Sequence, residues 1–126
     1  MLFRSPYNPL AGGMLTGKHT QGAPPEGTRF TLGTAGARYQ ERYWHGREFE
    51  SVEALKGVAA EAGISMATMA VSWVLSNSAI TSPIIGASRP DQLADSIAAT
   101  EKPLPEDLRK RLDDITHEWR AVDAER

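Results

Sequence analysis

Two glycine-bearing stretches hold most of the residues that could do chemistry. The first is Ser82-Pro83-Ile84-Ile85-Gly86-Ala87-Ser88-Arg89-Pro90-Asp91-Gln92-Leu93. It reads as a short strand, a turn carrying a hydroxyl and a fixed cation, and a helix start. A helix start offers unpaired N–H donors and the positive end of the helix dipole, a favourable place for a phosphate. Gly86 lets backbone approach closely, Ser88 adds a donor, and Arg89 can grip a phosphate in two-pronged fashion. Locally the same letters also describe a plain capping box of Ser88 and Asp91, with Pro90 in the first helical turn. Gln92 and Asp95 lie on the Ser88 side of that helix and can reach something larger than a phosphate, such as an adenine edge.

The second stretch is Tyr7-Asn8-Pro9-Leu10-Ala11-Gly12-Gly13-Met14-Leu15-Thr16-Gly17-Lys18. Three glycines and a proline in twelve residues forbid a regular helix, so a turn-rich loop is expected after a strand. Asn8, Gly12, Gly13, Thr16, Gly17 and Lys18 again suit an anion. Together the two loops describe a site for an elongated, multiply charged ligand.

Other chemistries find little support. The histidines His19, His45 and His117 lack metal-ligand spacing and read as surface or loop residues. Glu48, Glu50, Glu53 and Glu61 read as a solvated helix face. The absence of cysteine excludes disulfides, thiolate metal sites and a cysteine nucleophile, and fits a cytoplasmic setting. A net charge of -2 and a pI near 5.9 give no general drive toward nucleic acid or anionic lipid. No apolar run is long enough to span a membrane.

The elements that must position these residues are mostly helical. Gln21 to Gly36 reads as an exposed loop, followed by an aromatic cluster of Tyr39, Tyr43 and Trp44 that either lines a substrate mouth or packs on the body. Helices are expected from about Phe49 to Ala62 with Gly63 as C-cap, and after Ser65, with Met69, Ala70, Trp73, Val74 and Leu75 on its apolar side. Ile80 to Ile85 suits a buried parallel strand. A helix from about Pro90 to Ala99 carries Leu93 and Ile97 four apart, with small alanines beside them that permit close packing. Another starts at Pro105 and carries the stripe Leu108, Leu112, Ile115 and Trp119. The last residues, Asp123 to Arg126, are expected to fray. One or two strands do not make a sheet, so the set is incomplete.

In combination the Tyr7–Lys18 and Ile85–Leu93 motifs resemble the aldo-keto reductase superfamily, in the branch of potassium-channel beta-subunits and aflatoxin-aldehyde reductases. Gly27-Thr28-Arg29-Phe30, the Ala70–Leu75 helix and Leu104 extend the likeness. The resemblance implies an α/β fold, here the C-terminal part of a (β/α)8 TIM barrel: mostly helical, with one or two strands. Residues 1–126 then form one partial NADP-dependent oxidoreductase domain, with Met1 to Ser5 fitting the pattern poorly and reading as adventitious. The implied cofactor is NADPH. Tyr7 stacks on its nicotinamide, Asn8, Pro9, Leu10, Ala11 and Gly12 line its centre, and Lys18 and Arg29 meet its phosphates. Gly86, Ser88 and Arg89 hold the 2′-phosphate, while Gln92 and Asp95 approach the adenine. Ser96 stands where the family usually has asparagine.

The family's acid tyrosine and its lysine, aspartate and histidine partners belong to earlier strands, so the chain by itself is expected to bind cofactor without reducing a carbonyl substrate. The competing expectation is a non-catalytic interaction module, beta-subunit-like or helical. Open barrel edges favour self-association.

Overall fold

The computed structural model describes residues 3–119. Its helices are α1 (Gly33–Tyr43), α2 (Gly46–Ala62), α3 (Met66–Leu75), α4 (Leu93–Ala98) and α5 (Glu106–Ile115). Short 3-10 segments cover Ala11–Thr16, Pro90–Gln92 and Ala99–Glu101.

Helix α2 buries Phe49, Val52, Leu55 and Ala59, the recurrence of apolar side chains at three and four residues that its sequence carries. Gly63 ends it with φ 66°, and the chain turns by 91° into α3. Ser65 starts α3, its Oγ accepting the Thr68 N–H at 3.0 Å. Helix α5 begins at Glu106, one residue beyond the expected proline, which serves as its N-cap. Its stripe packs as expected: Leu112 is buried, Leu108 and Ile115 adjoin the same core, and Trp119 donates through Nε1 to Ser51 Oγ at 3.0 Å.

Two core clusters result. One gathers Ala11, Met14, Phe30, Phe49 and Val52, flanked by Tyr39, Tyr43 and Trp44. The other gathers Leu55, Val58, Ala59, Met69 and Leu112. The aromatic trio thus packs on the body, Tyr39 and Trp44 against Phe30, whose side chain is fully buried, and Tyr43 against Tyr39.

Several expectations are corrected. The expected loop over 21–36 gives way at Gly33 to α1, a helix the low propensity of its glycines concealed. Tertiary contacts hold it instead. Gln40 Nε2 donates to Phe30 O at 2.6 Å, the Trp44 indole at its end donates to Gly22 O at 2.7 Å, and a Cβ on Gly36 would meet Phe30 O at 2.8 Å. In α4 the small residues make the close approach, as expected, but Ile97 does not join it. Ser96 and, just beyond the helix, Ala99 are buried against α3, while Ile97 is 56% exposed.

The expected buried strand over 80–85 is a single parallel bridge, Tyr7 with Ile84, and Ile84 is exposed. Its backbone bonds run from Thr81 N to Arg4 O at 2.9 Å and from Ile84 N to Pro6 O at 2.8 Å. Among the described residues no third segment flanks this pair, so nothing extends it into a sheet or covers its faces. Two side chains expected at the surface are buried: His19, and Glu48 in the first turn of α2. Glu48 shares the inward face of Val52, and its Oε1 takes the Arg47 Nε–H at 2.8 Å. His45 and His117 are exposed, as are Glu50, Glu53 and Glu61. Asp123 to Arg126 lie outside the described residues.

Candidate functional site

The parallel bridge places the two glycine-bearing loops. Because Tyr7 and Ile84 run in the same direction, the segments that follow them leave from the same end of the pair. Asn8–Lys18 and Gly86–Gln92 therefore emerge side by side.

The first loop is a sequence of tight turns. Asn8 and Ala11 carry φ of 62° and 51°, Gly12, Gly13 and Gly17 of 70°, 105° and 74°. Asn8 organises the entry: its Oδ1 accepts the Gly12 N–H at 2.7 Å and its carbonyl accepts the Ala11 N–H at 3.0 Å. Thr16 Oγ1 donates to Gly13 O at 2.7 Å, closing the far side. Tyr7 is 73% exposed, a bare aromatic face at the loop's start. Asn8, Pro9, Leu10 and Gly12 are half-buried and Lys18 is exposed. Ala11 keeps only its backbone for the expected lining. Its side chain is buried in the core, so it anchors the loop.

Arg29 reaches this loop through an aromatic intermediary. Its guanidinium lies 6.0 Å from the Tyr39 ring centre, with Nη1 donating to Tyr39 OH at 3.4 Å. The same ring covers Gly12 so closely that a Cβ there would lie 2.7 Å from Tyr39 Cδ1. Tyr39 thus joins Gly12 to Arg29. Sequence reading leaves it in the aromatic cluster, because the helix that aims it has no strong local signature.

In the second loop, three donors converge on one oxygen. Gln92 Oε1 accepts Ser88 N–H at 2.8 Å, Ser88 Oγ–H at 3.0 Å and Arg89 N–H at 3.3 Å. The cap is therefore Gln92 reaching back, and the expected Ser88–Asp91 capping box is not formed. Asp91 instead takes the Arg89 guanidinium by two bonds, Nε to Oδ1 at 3.1 Å and Nη2 to Oδ2 at 3.2 Å. Hydrogen bonding to Arg89 lowers the Asp91 pKa, and the same bond raises that of Arg89. Gly86, Ser88, Arg89, Gln92 and Asp95 are all exposed. Asp95 also fixes the helix through its backbone carbonyl, which accepts Thr68 Oγ1–H at 2.8 Å. Ser96 is buried away from this surface.

No cluster of metal-ligating side chains occurs among the described residues. No single helix among them is long and apolar enough to cross a membrane. The arrangement can bind an extended anion by backbone donors, a hydroxyl and cations at one end of a parallel pair.

Comparison with known proteins gives this geometry a context. The model of the aldo/keto reductase family matches residues 4–117. A probable voltage-gated potassium channel subunit beta from Arabidopsis thaliana is 35% identical over 95 residues, which cover 75% of this chain and 29% of the relative. The L-glyceraldehyde 3-phosphate reductase of Escherichia coli is 36% identical over 93 residues, covering 74% of this chain and 27% of that enzyme. The aflatoxin B1 aldehyde reductase member 2 of Rattus norvegicus is 36% identical over 109 residues, covering 76% and 29%. The chain thus spans under a third of the length of these relatives. On this match, which takes in both glycine-bearing loops, the chain belongs to the aldo/keto reductase family.

Proposed function

We propose that this chain is the cofactor-binding, C-terminal portion of an NADPH-dependent aldo/keto reductase, carrying the ends of the last two strands of a (β/α)8 barrel. One observation carries the reading: the Tyr7–Ile84 parallel bridge sends both anion-friendly loops out at the strand ends where barrel enzymes bind ligands. The donor set suits a phosphate-bearing cofactor, since Ser88 and Arg89 already direct three donors at a single oxygen.

The bound cofactor would supply a hydride to a carbonyl carbon of an aldehyde or ketone. This chain's part is to hold it. Tyr7 offers its exposed ring to the nicotinamide, and Asn8 to Gly12 form the seat for the centre of the molecule. Lys18 and Arg29 balance the diphosphate charge. Gly86, Ser88 and Arg89 take the 2′-phosphate, with Gln92 and Asp95 toward the adenine. Binding requires Arg89 to exchange the Asp91 carboxylate for phosphate and Gln92 to release its three donors. Proton donation to the carbonyl oxygen belongs to groups on earlier strands of the family barrel, and the part these residues take is to hold and place the cofactor.

Titration with NADPH, followed by its fluorescence, tests the reading. Saturable binding is expected, weakened roughly ten- to a hundredfold by Arg89→Ala, the loss of one charge-assisted, two-pronged contact. Absence of saturable binding, or indifference to Arg89→Ala, overturns it.

A second reading is favoured by a separate feature. An apolar groove of about 160 Å³ is lined by Pro9, Leu15, Met69, Trp73, Val74 and Trp119 among others. On this reading the chain is a non-catalytic interaction module that binds a partner there. Partner binding that is unaffected by Arg89→Ala, without cofactor binding, would select it.

A further inference from the structure

His19 directly follows Lys18 of the cofactor loop, yet it is only 3% exposed. Its ring stands edge-on to two aromatic rings, 5.3 Å from Phe30 at 83° and 5.4 Å from Trp44 at 64°. Nε2 is buried without a hydrogen-bond partner. That nitrogen lies under the loop, since a Cβ on Gly13 would sit 3.6 Å from it. The ring therefore supports Gly13 by packing. The loop above it passes through left-handed conformations at Ala11, Gly12, Gly13 and Gly17, of which the non-glycine Ala11 persists there only because its surroundings hold it.

A neutral imidazole suits this box, being an aromatic plate of the right kind for edge contacts. An imidazolium does not, because its second N–H needs an acceptor and its charge needs water or a counter-ion. The surrounding charges do not supply one. Lys18, next in the chain, is itself positive. Arg29, beside Phe30, is directed at Tyr39. On the α2 side of Trp44, Glu48 gives its Oε1 to Arg47 while its Oε2 is buried and bonds neither His19 nor any other group, and His45 turns its Nε2 to Glu41 O. We propose that His19 is a proton-sensitive prop: neutral, it holds Gly12–Lys18 in the form that receives the cofactor; protonated, it leaves the aromatic box and the loop loses its seat.

Burial, and secondly the Lys18 ammonium, hold the His19 pKa below 6.5. The sign follows. The prop is fully in place above the unfolded-state value of 6.5 and is lost as pH falls through the lower folded-state value. The consequence for cofactor rests on the function proposed above, whereas the loop movement does not.

Two-dimensional NMR of the full chain between pH 8 and 5 separates the two. The Gly12, Gly13 and Gly17 amide signals should titrate together with the His19 ring, and the effect should vanish in His19→Phe but survive His45→Gln and His117→Gln. NADP+, stable in acid, then probes affinity. Wild type should weaken by about tenfold per pH unit below the folded-state pKa, relative to His19→Phe, a ratio that cancels the cofactor's own phosphate titration. Glycine signals that ignore the His19 titration in the wild-type chain, or that still titrate in His19→Phe, overturn the proposal. Should His19→Phe fail to fold, His19→Gln and the wild-type titration decide. A loop that follows His19 while NADP+ binds at neither pH leaves the prop standing and removes the cofactor reading instead.

Discussion

Gly12 shows how a single missing Cβ shapes the first glycine-bearing loop. Its φ of 70° is costly for other residues, and the Tyr39 ring occupies the space a side chain would need. Gly12→Ala therefore faces both strain and a clash with an aromatic ring that is itself packed against Phe30 and Tyr43. A stability loss of about 1–3 kcal/mol is expected, checked by thermal or urea unfolding, with a changed near-ultraviolet tyrosine signal. The same substitution at Gly22, where no atom lies within 4 Å of the added Cβ, carries only the backbone cost of its φ of 140°. Residue identity was informative for the loop because glycine, proline and asparagine punctuate a chain directly. It was misleading for His19 and Glu48. Both are polar residues buried by neighbours distant in sequence, Phe30 and Trp44 around the first and the Val52 face around the second, and no local pattern carries that information.

At the scale of elements, legibility follows how local the forming interactions are. Helices α2 and α3 carry their own apolar faces, and the Gly63 stop of α2 and the Ser65 start of α3 are legible, whereas α2 begins at Gly46, three residues before the expected Phe49, because no side-chain cap marks its start. The Ser65 cap of α3 is one such signal: Ser65 Oγ accepts from Thr68 N–H and also meets Thr68 Oγ1 at 2.9 Å. Ser65→Ala should cost about 1 kcal/mol, seen as a lowered denaturation midpoint with an unchanged slope. Helix α1 is the opposite case. Its glycines argue against a helix, and what secures it comes from Phe30 and Gly22, outside the helix. In α4 the close approach to α3 is made by small residues, as its alanines predict, with Ser96 and Ala99 buried and Leu93 half-buried, while the larger Ile97 turns outward. Within the candidate site, the loops were legible, while the Tyr39 link to Arg29 required knowing how α1 packs.

At the scale of the molecule, the described residues present apolar surface on two sides. One is the bridge pair, where Tyr7 and Ile84 are 73% and 56% exposed. The other is the groove between α3, α5 and the first loop. On the barrel reading proposed above, a parallel pair has neighbours on both edges, and further β/α units would pack on these surfaces. Water contact at this apolar groove is unfavourable, and we propose that the 126-residue chain, studied by itself, relieves it by self-association. Because the groove lining is almost wholly apolar, that association should be insensitive to salt, unlike one driven by ion pairs such as Arg111–Glu61. Val74 lines the groove near the C-terminal end of α3, half-buried, so Val74→Glu places a charge there without interrupting the helix. Sedimentation velocity across a concentration series should show wild type associating at 50 mM and 500 mM salt alike, and Val74→Glu shifted toward monomer with its helical dichroism retained. Association that dissolves in salt would assign it to surface charge. Association untouched by Val74→Glu would place it at the bridge edge, where backbone donors and acceptors rather than side chains make the contact.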